Sequence, residues 1–329
     1  MPSDHPFTAT DWRPDVLGQG FYALDLPLPA DEEGDCGATL VRYRPRKWRF
    51  LERKTVVLYV HGWNDYFFQT ELARFWHAQG AAFYALDLRK YGRSLRTWQT
   101  PGYITDLIEY DAEIELALRE INKRHGTQAR IVGMGHSTGG LILSLWTARH
   151  QRAFCSLILN SPWLELQGSA FLRTLASPMV HQLAKLNPKV EMPNIDPGFN
   201  ARTMRKELGG EWDYDERWRP NPMFAVTAGW LHAIMEGHAQ VAAGLNIQVP
   251  ILMMASAKSH IRPRWSEDMR AADIVLDVNL ITERALDLGP LVTVVRVAGG
   301  LHDLIMSRPE ARAQTYQQMA LWARAYVWR

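Results

Sequence analysis

Short apolar runs, each closed by a turn signal, alternate with amphipathic stretches along most of this chain. Thr55–Val60 is β-branched, apolar throughout and ends at His61-Gly62, so it reads as a fully buried strand. A helix over Thr70–Gln79 follows and Gly80 ends it. Ala82–Leu88 is a second buried strand, after which Lys90-Tyr91-Gly92-Arg93-Ser94 makes a turn. Leu107, Tyr110, Ile114, Ala117 or Leu118, and Ile121 recur at helical spacing up to a stop at His125-Gly126. Ala129–Met134 and Phe154–Leu159 are strands on either side of another apolar helix. Phe21–Leu26 and Ala38–Tyr43 fit an antiparallel hairpin at the sheet edge. Strands alternating with helices in this way predict the α/β class, with a mostly parallel, doubly wound sheet.

The alternation breaks between about Ser161 and Gln248. Seven prolines fall here, at 162, 178, 188, 193, 197, 220 and 222, together with helix-like pieces at Phe171–Leu186 and Met223–Ala243, and no buried strand is evident. An insertion between strands on the carboxyl side of such a sheet is expected to form a helical cap over a site. The division that follows is a core of residues 1–160 and 249–329, with residues 161–248 as the cap. Beyond it come strand Val249–Ala255, a helix after Asp277, strand Leu291–Val297 and a final helix. Ser307 is the expected N-cap of that helix, with Glu310 three residues on completing a capping box.

Composition narrows the partners. The charge of +2 is the balance of 37 basic and 35 acidic residues spread along the chain, which gives no electrostatic reason to expect nucleic acid or an anionic membrane. The basic run Arg42, Arg44, Arg46, Lys47, Arg49 lies between apolar segments and reads as a solvated loop. Cys36 and Cys155 are far apart and belong to no CxxC or metal-ligand spacing, so no metal is expected. Met1-Pro2-Ser3-Asp4-His5-Pro6 lacks the features of a secretion signal, and no stretch reaches the apolar length of a membrane span. The expectation is a cytoplasmic protein without stable membrane insertion. Thirteen tryptophans are many for 329 residues and suggest an aromatic pocket.

The chemistry centres on Gly135-His136-Ser137-Thr138-Gly139, set between the strand Ala129–Met134 and the helix-like Leu141–Trp146. This is a GxSxG nucleophile elbow in its proper strand-turn-helix context, where small residues flank a serine held in a strained turn. A serine hydroxyl needs a general base and a group to orient that base. His302 sits just after the last buried strand, in a loop that could reach Ser137. His136 points away along an extended chain, and His61 is expected to order backbone. No carboxylate directly follows strand Val249–Ala255; Asp268, Asp273 and Asp277 come later. Asp277 suits the N-cap of the next helix, which makes Asp273 the preferred acid, Asp277 the alternative and Asp268 the third candidate. Asp303 is too close to His302 in sequence to orient it and is expected to brace the loop. An oxyanion hole would use the Thr138 amide at the helix start and the Trp63 amide, brought close by the turn at Gly62.

Val60-His61-Gly62-Trp63, Gly135-His136-Ser137-Thr138-Gly139-Gly140 and Gly300-Leu301-His302-Asp303 together resemble the α/β-hydrolase superfamily, in particular its monoacylglycerol lipase, lysophospholipase and serine aminopeptidase-like branch. The resemblance spans most of the chain outside the cap. It implies Ser137 as nucleophile, His302 as base, and the Trp63 and Thr138 amides as oxyanion donors. The chain departs from that branch in the long loop before its acid and in the bulky Trp63-Asn64-Asp65. The expected function is a cofactor-independent serine hydrolase that cleaves carboxylic esters with an apolar acyl part, in the manner of a carboxylesterase, lysophospholipase or monoacylglycerol lipase. Trp63, Phe67, Phe68, Trp163 and Trp230 are the expected pocket walls. The alternatives are an aminopeptidase, which would need Glu165, Glu207, Glu211, Asp213 or Glu236 to hold a substrate amine, and a non-catalytic binding protein of the same fold. A serine at position 137 argues against superfamily members that use a carboxylate nucleophile.

Overall fold

The computed structural model describes residues 7, 11–45, 54–166, 170–193 and 197–328. In chain order its strands are β1 (Arg13–Pro14), β2 (Phe21–Asp31), β3 (Gly34–Tyr43), β4 (Thr55–Val60), β5 (Ala82–Asp87), β6 (Arg130–His136), β7 (Ser156–Asn160), β8 (Ile251–Ser256) and β9 (Val292–Val297). The helices are α1 (Thr70–Ala78), α2 (Asp111–His125), α3 (Thr138–Arg149), α4 (Ala170–Leu186), α5 (Phe199–Met204), α6 (Ala228–Ala242), α7 (Val278–Arg284) and α8 (Pro309–Tyr326). The strands form one sheet in the order β1-β2-β3-β5-β4-β6-β7-β8-β9, with β4 to β9 parallel to one another and the pairs β1/β2, β2/β3 and β3/β5 antiparallel, so that β2 runs in the direction of the parallel set. It has the α/β-hydrolase arrangement.

The parallel strands are apolar runs because both of their faces are covered. Every residue of β4, β5, β7 and β8 is buried. On one face α2, α3 and α6 pack through Ile114, Ala117, Leu141, Leu145 and Ile234. On the other, α1 and α8 contribute Leu72, Trp76, Met319 and Trp322. The hairpin expected at the edge is longer than the apolar pattern suggested, running to Asp31 and back from Gly34. Its tip is polar, and Glu33 there pairs with Lys90 and with Lys189.

Two expectations are corrected. Arg42 is no loop residue: it belongs to β3, is buried, and lays its guanidinium 3.9 Å over the ring of Trp12, while Arg46, Lys47 and Arg49, like Met1 to Pro6, lie outside the described residues. Ser307 does not cap α8. The helix starts one residue later than expected, at Pro309 with Arg308 in the cap position, and Ser307 Oγ instead accepts the Leu301 N–H at 2.8 Å, folding the preceding loop onto itself.

Between β7 and β8 the chain leaves the sheet from Ser161 to Pro250 and carries α4, α5 and α6. Helix α6 packs closely on α3 at Gly237, where a Cβ would stand 2.7 Å from the end of the Leu107 side chain and 3.1 Å from that of Leu145 on α3. Among the described residues no helix is long and apolar enough to cross a membrane.

Candidate active site

The carboxyl ends of β4, β6, β8 and β9 meet in one region. Strand β6 runs into α3 with no intervening loop, and Ser137 at the junction takes φ 51°, ψ −117°. The flanking glycines make this turn possible. A Cβ on Gly135 would fall 2.7 Å from the Gly140 Cα, and one on Gly139 would overlap the carbonyl oxygens of Val60 and His61. Gly62 passes so near that its Cβ would lie 3.0 Å from Ser137 Cβ. The Ser137 carbonyl accepts the Trp163 N–H at 3.0 Å, which ties the first turn after β7 to the elbow.

His302 follows β9 and places Nε2 3.0 Å from Ser137 Oγ. Its Nδ1 lies 2.9 Å from Asp273 Oδ2. A carboxylate only accepts, so Nδ1 carries the proton and Nε2 is free to accept from the serine hydroxyl. The other Asp273 oxygen accepts the N–H groups of Val275 and Leu276, both at 2.8 Å, and the carboxylate is fully buried. Residues 257–272 make the excursion anticipated after β8, and the chain then returns alongside its start: Asp273 N–H donates to Lys258 O and His260 N–H to Asp273 O. Asp277 caps α7 by accepting from Asn279 and Leu280 N–H, and Asp268 lies exposed in a turn. Of the three carboxylates considered, the structure brings Asp273 to His302.

The surrounding polar groups hold these loops. Asp303 braces its loop by accepting from Asn160 Nδ2 at 2.7 Å, Ile305 N–H at 3.0 Å and Gln69 Nε2 at 3.3 Å. Asn160 escaped the sequence reading. It also accepts from Leu304 N–H through its side chain, and its backbone carbonyl receives the N–H of Ser137 and faces His136 Nδ1. The only hint was a polar residue ending the apolar run of β7. His136 does bond backbone, but it does not point away: its ring centroid lies 4.9 Å from that of His302. Burial lowers its pKa against the pull of Asp303, with His302 pushing the same way as burial. His61 is wholly buried, accepts Leu88 N–H at Nε2 and lies 2.7 Å from Gly62 O through Nδ1.

Trp63 and Thr138 are the expected oxyanion donors. Neither amide hydrogen-bonds to another group among the described residues. Thr138 opens α3, where the first N–H groups have no acceptor inside the helix. The Trp63 ring lies 4.0 Å from that of Trp230, which is 5.9 Å from Trp163, so three of the expected wall residues cluster where the inserted segment meets the site. Phe68 joins Tyr66, Met204, Leu301 and Met306 beside the His302 loop. Phe67 is a correction. It points to the opposite side of the sheet and fills the core against Phe21, Tyr59 and Phe83, so it lines no pocket. Of the acidic residues that could hold a substrate amine, Glu165 pairs with Arg284, Glu207 with Arg205, Asp213 with Lys206 and Glu211 with Arg312, and Glu236 faces outward.

Residues 52–275 match the profile of a family described as serine aminopeptidase, S33. A monoacylglycerol lipase of Mycolicibacterium smegmatis is 26% identical over 209 residues, which cover 63% of this chain and 71% of that one. Among solved structures, a soluble variant of the monoglyceride lipase of Saccharomyces cerevisiae, in complex with a substrate analog, superposes with a TM-score of 0.62 at 16% identity, covering 92% of this chain and 96% of the other. The monoacylglycerol lipase of Paleococcus ferrophilus gives 0.62 at 15% identity, with 93% and 99% covered. These superpositions show the shared fold.

Proposed function

The chain belongs to the serine aminopeptidase S33 family, and from that premise we propose that it is a serine hydrolase cleaving carboxylic esters with an apolar acyl part through an acyl-enzyme on Ser137. The observation that carries the reading is the continuous line from Ser137 Oγ to His302 Nε2 at 3.0 Å and from His302 Nδ1 to Asp273 at 2.9 Å. In the proposed cycle His302 takes the serine proton as Oγ attacks the ester carbonyl. Asp273 stabilises the imidazolium that forms, and the Trp63 and Thr138 amides receive the negative oxygen. His302 then gives the proton to the departing alcohol. Water, activated by the same base, releases the acid and restores Ser137. No cofactor enters the cycle.

Residues 161–248 are proposed as the lid over this site, with residues 1–160 and 249–329 as the core. Trp63, Trp163 and Trp230 are proposed to contact the acyl part, a role supported by their clustering. The monoacylglycerol lipase relative favours a lipid ester of that kind. The Arg284 pair that engages the largely buried Glu165 removes that carboxylate from amine binding and favours ester over aminoacyl amide there, since an amine-binding carboxylate must be free to meet its ligand. The test is the turnover of p-nitrophenyl butyrate and of an aminoacyl anilide by the wild type and Ser137→Ala, with a fluorophosphonate probe as a label for an activated serine. Ester turnover falls by several orders of magnitude in Ser137→Ala, and the label maps to Ser137. Near-wild-type turnover in that variant overturns the assignment.

A further inference from the structure

Four consecutive residues of the loop after β4 are held by the inserted segment between β7 and β8. The Trp63 ring packs on Trp230. Asn64 Nδ2 donates to Pro220 O at 3.1 Å, and Phe224 N–H donates to Asn64 Oδ1 at 3.2 Å. Arg219 Nη1 donates to Asp65 Oδ1 at 2.6 Å, and Asp215 N–H donates to the Tyr66 hydroxyl at 2.8 Å. The core side of the same loop is fixed separately, by His61 at its start and by Asp87, which accepts Phe67 N–H at 2.9 Å.

The Arg219–Asp65 pair is the strongest of these ties. Both side chains are under a tenth exposed, and Asp65 Oδ2 is buried with no partner among the described residues. Burial pushes the Asp65 carboxyl up and Arg219 is the foremost group opposing this, while the Arg219 guanidinium otherwise lies among Met204, Met306, Phe68 and Tyr214. A buried ion pair is a poor source of net stability against an apolar pair of similar size. The pair anchors the loop at Asp65, two residues beyond the Trp63 N–H. Asn64 adds to this, since its left-handed backbone, φ 50°, is stapled at both ends of its side-chain amide.

We propose that Arg219 is a positioning residue for the reaction: acting through Asp65, it aims the Trp63 amide, so that the oxyanion hole is complete only while residues 215–224 are docked on the loop. The inference rests on the serine hydrolase reading and deepens it. It makes the inserted segment part of the machinery that stabilises the transition state as well as a cover over the substrate.

The test uses the full-length protein and measures kcat and KM for p-nitrophenyl butyrate, the affinity for an alkyl trifluoromethyl ketone, which forms a tetrahedral oxyanion on the serine, and thermal unfolding. Arg219→Met lowers kcat about 100-fold with KM unchanged and weakens ketone binding by the same factor, as expected for lost alignment at the transition state. Arg219→Lys, which keeps the charge, recovers part of the loss. The double variant Arg219→Met/Asp65→Leu regains thermal stability without regaining kcat; a merely structural role would restore both. Lys123→Ala, which removes the exposed partner of Glu120 on α2, keeps wild-type kinetics. If Arg219→Met fails to fold, Asn64→Gly carries the test, because glycine accepts the same backbone and removes two ties; it lowers kcat about tenfold. Wild-type kcat in a folded Arg219→Met, or in Asn64→Gly where that stands in, overturns the proposal. A wild type that neither turns over the ester nor labels at Ser137 overturns the underlying function instead.

Discussion

Asp273 uses its two oxygens for different tasks, and the one it offers His302 is not the one that holds its own loop. Oδ2 lies 2.9 Å from His302 Nδ1, and Oδ1 accepts from Val275 and Leu276 N–H. Orientation of the base and formation of the turn can therefore be separated by a single substitution.

Asp273→Asn keeps an oxygen for the two amides and loses the carboxylate facing Nδ1. The expected result is a fall in kcat of about 10⁴-fold with an unfolding midpoint close to the wild type. Asp277→Asn, at the cap of α7, leaves turnover intact. Comparable losses in both variants would contradict the assignment of the acid.

Gly139→Ala tests the elbow. Its Cβ would press on the backbone oxygens of Val60 and His61, neither of which is the end of a flexible side chain. Overpacking of this kind costs about 3 kcal/mol, read as a lower midpoint in urea. A cost under about 0.5 kcal/mol, the level of an ordinary surface substitution, would mean that the elbow relaxes freely.

Phe67 and Trp163 should separate stability from specificity. Phe67→Ala costs about 3–5 kcal/mol, as for a core phenylalanine, and leaves the preference for acyl length unchanged. Trp163→Ala costs less and shifts that preference, measured as kcat/KM across esters from acetate to dodecanoate. An unchanged profile in Trp163→Ala would remove it from the acyl site.

His61 and His136 set an acid limit. Burial lowers both pKa values below the ordinary 6.5, so in the range below 6.5 the unfolded chain binds more protons than the folded one. Stability therefore rises with pH through that range and is lost as the pH falls below it. The unfolding temperature should drop by several degrees between pH 7.5 and 5.5, and nitrogen NMR should find the His61 ring predominantly neutral in the folded protein at pH 6.5, where an ordinary imidazole is half protonated. A cationic His61 ring there would contradict the buried hydrogen bond from Leu88.

The buried parallel strands and the elbow could be read from the sequence because their signals are local. Thr55–Val60 is apolar throughout because both its faces are covered, and Gly135 and Gly139 flank Ser137 because backbone touches backbone there. What could not be read depends on where a loop turns. Phe67 and Phe68 are neighbours of like composition, yet one enters the core beneath the sheet and the other joins the cluster beside the His302 loop. Ser307 has the spacing of a cap, but the Leu301 N–H, six residues earlier, claims its hydroxyl. Arg219 lies 154 positions from Asp65, and no local pattern links them.

The excursion over residues 257–272 has a thermodynamic reading of its own. Asp273 is fixed where the chain comes back, through its bonds to Lys258 and His260 and the seat of the Ser259 hydroxyl on Leu276 O and Val278 N–H. The closed ends hold the carboxylate, and the last part of the path is anchored too, with Met269 and Ala272 buried and Arg270 donating to Arg202 O and Leu208 O. Because the entropy of closing a loop grows only with the logarithm of its length, each doubling costs about 0.6 kcal/mol. The exposed residues 261–264 of the excursion are thus a low-cost place for the chain to lengthen or to accept a foreign peptide, while the acid remains against its histidine.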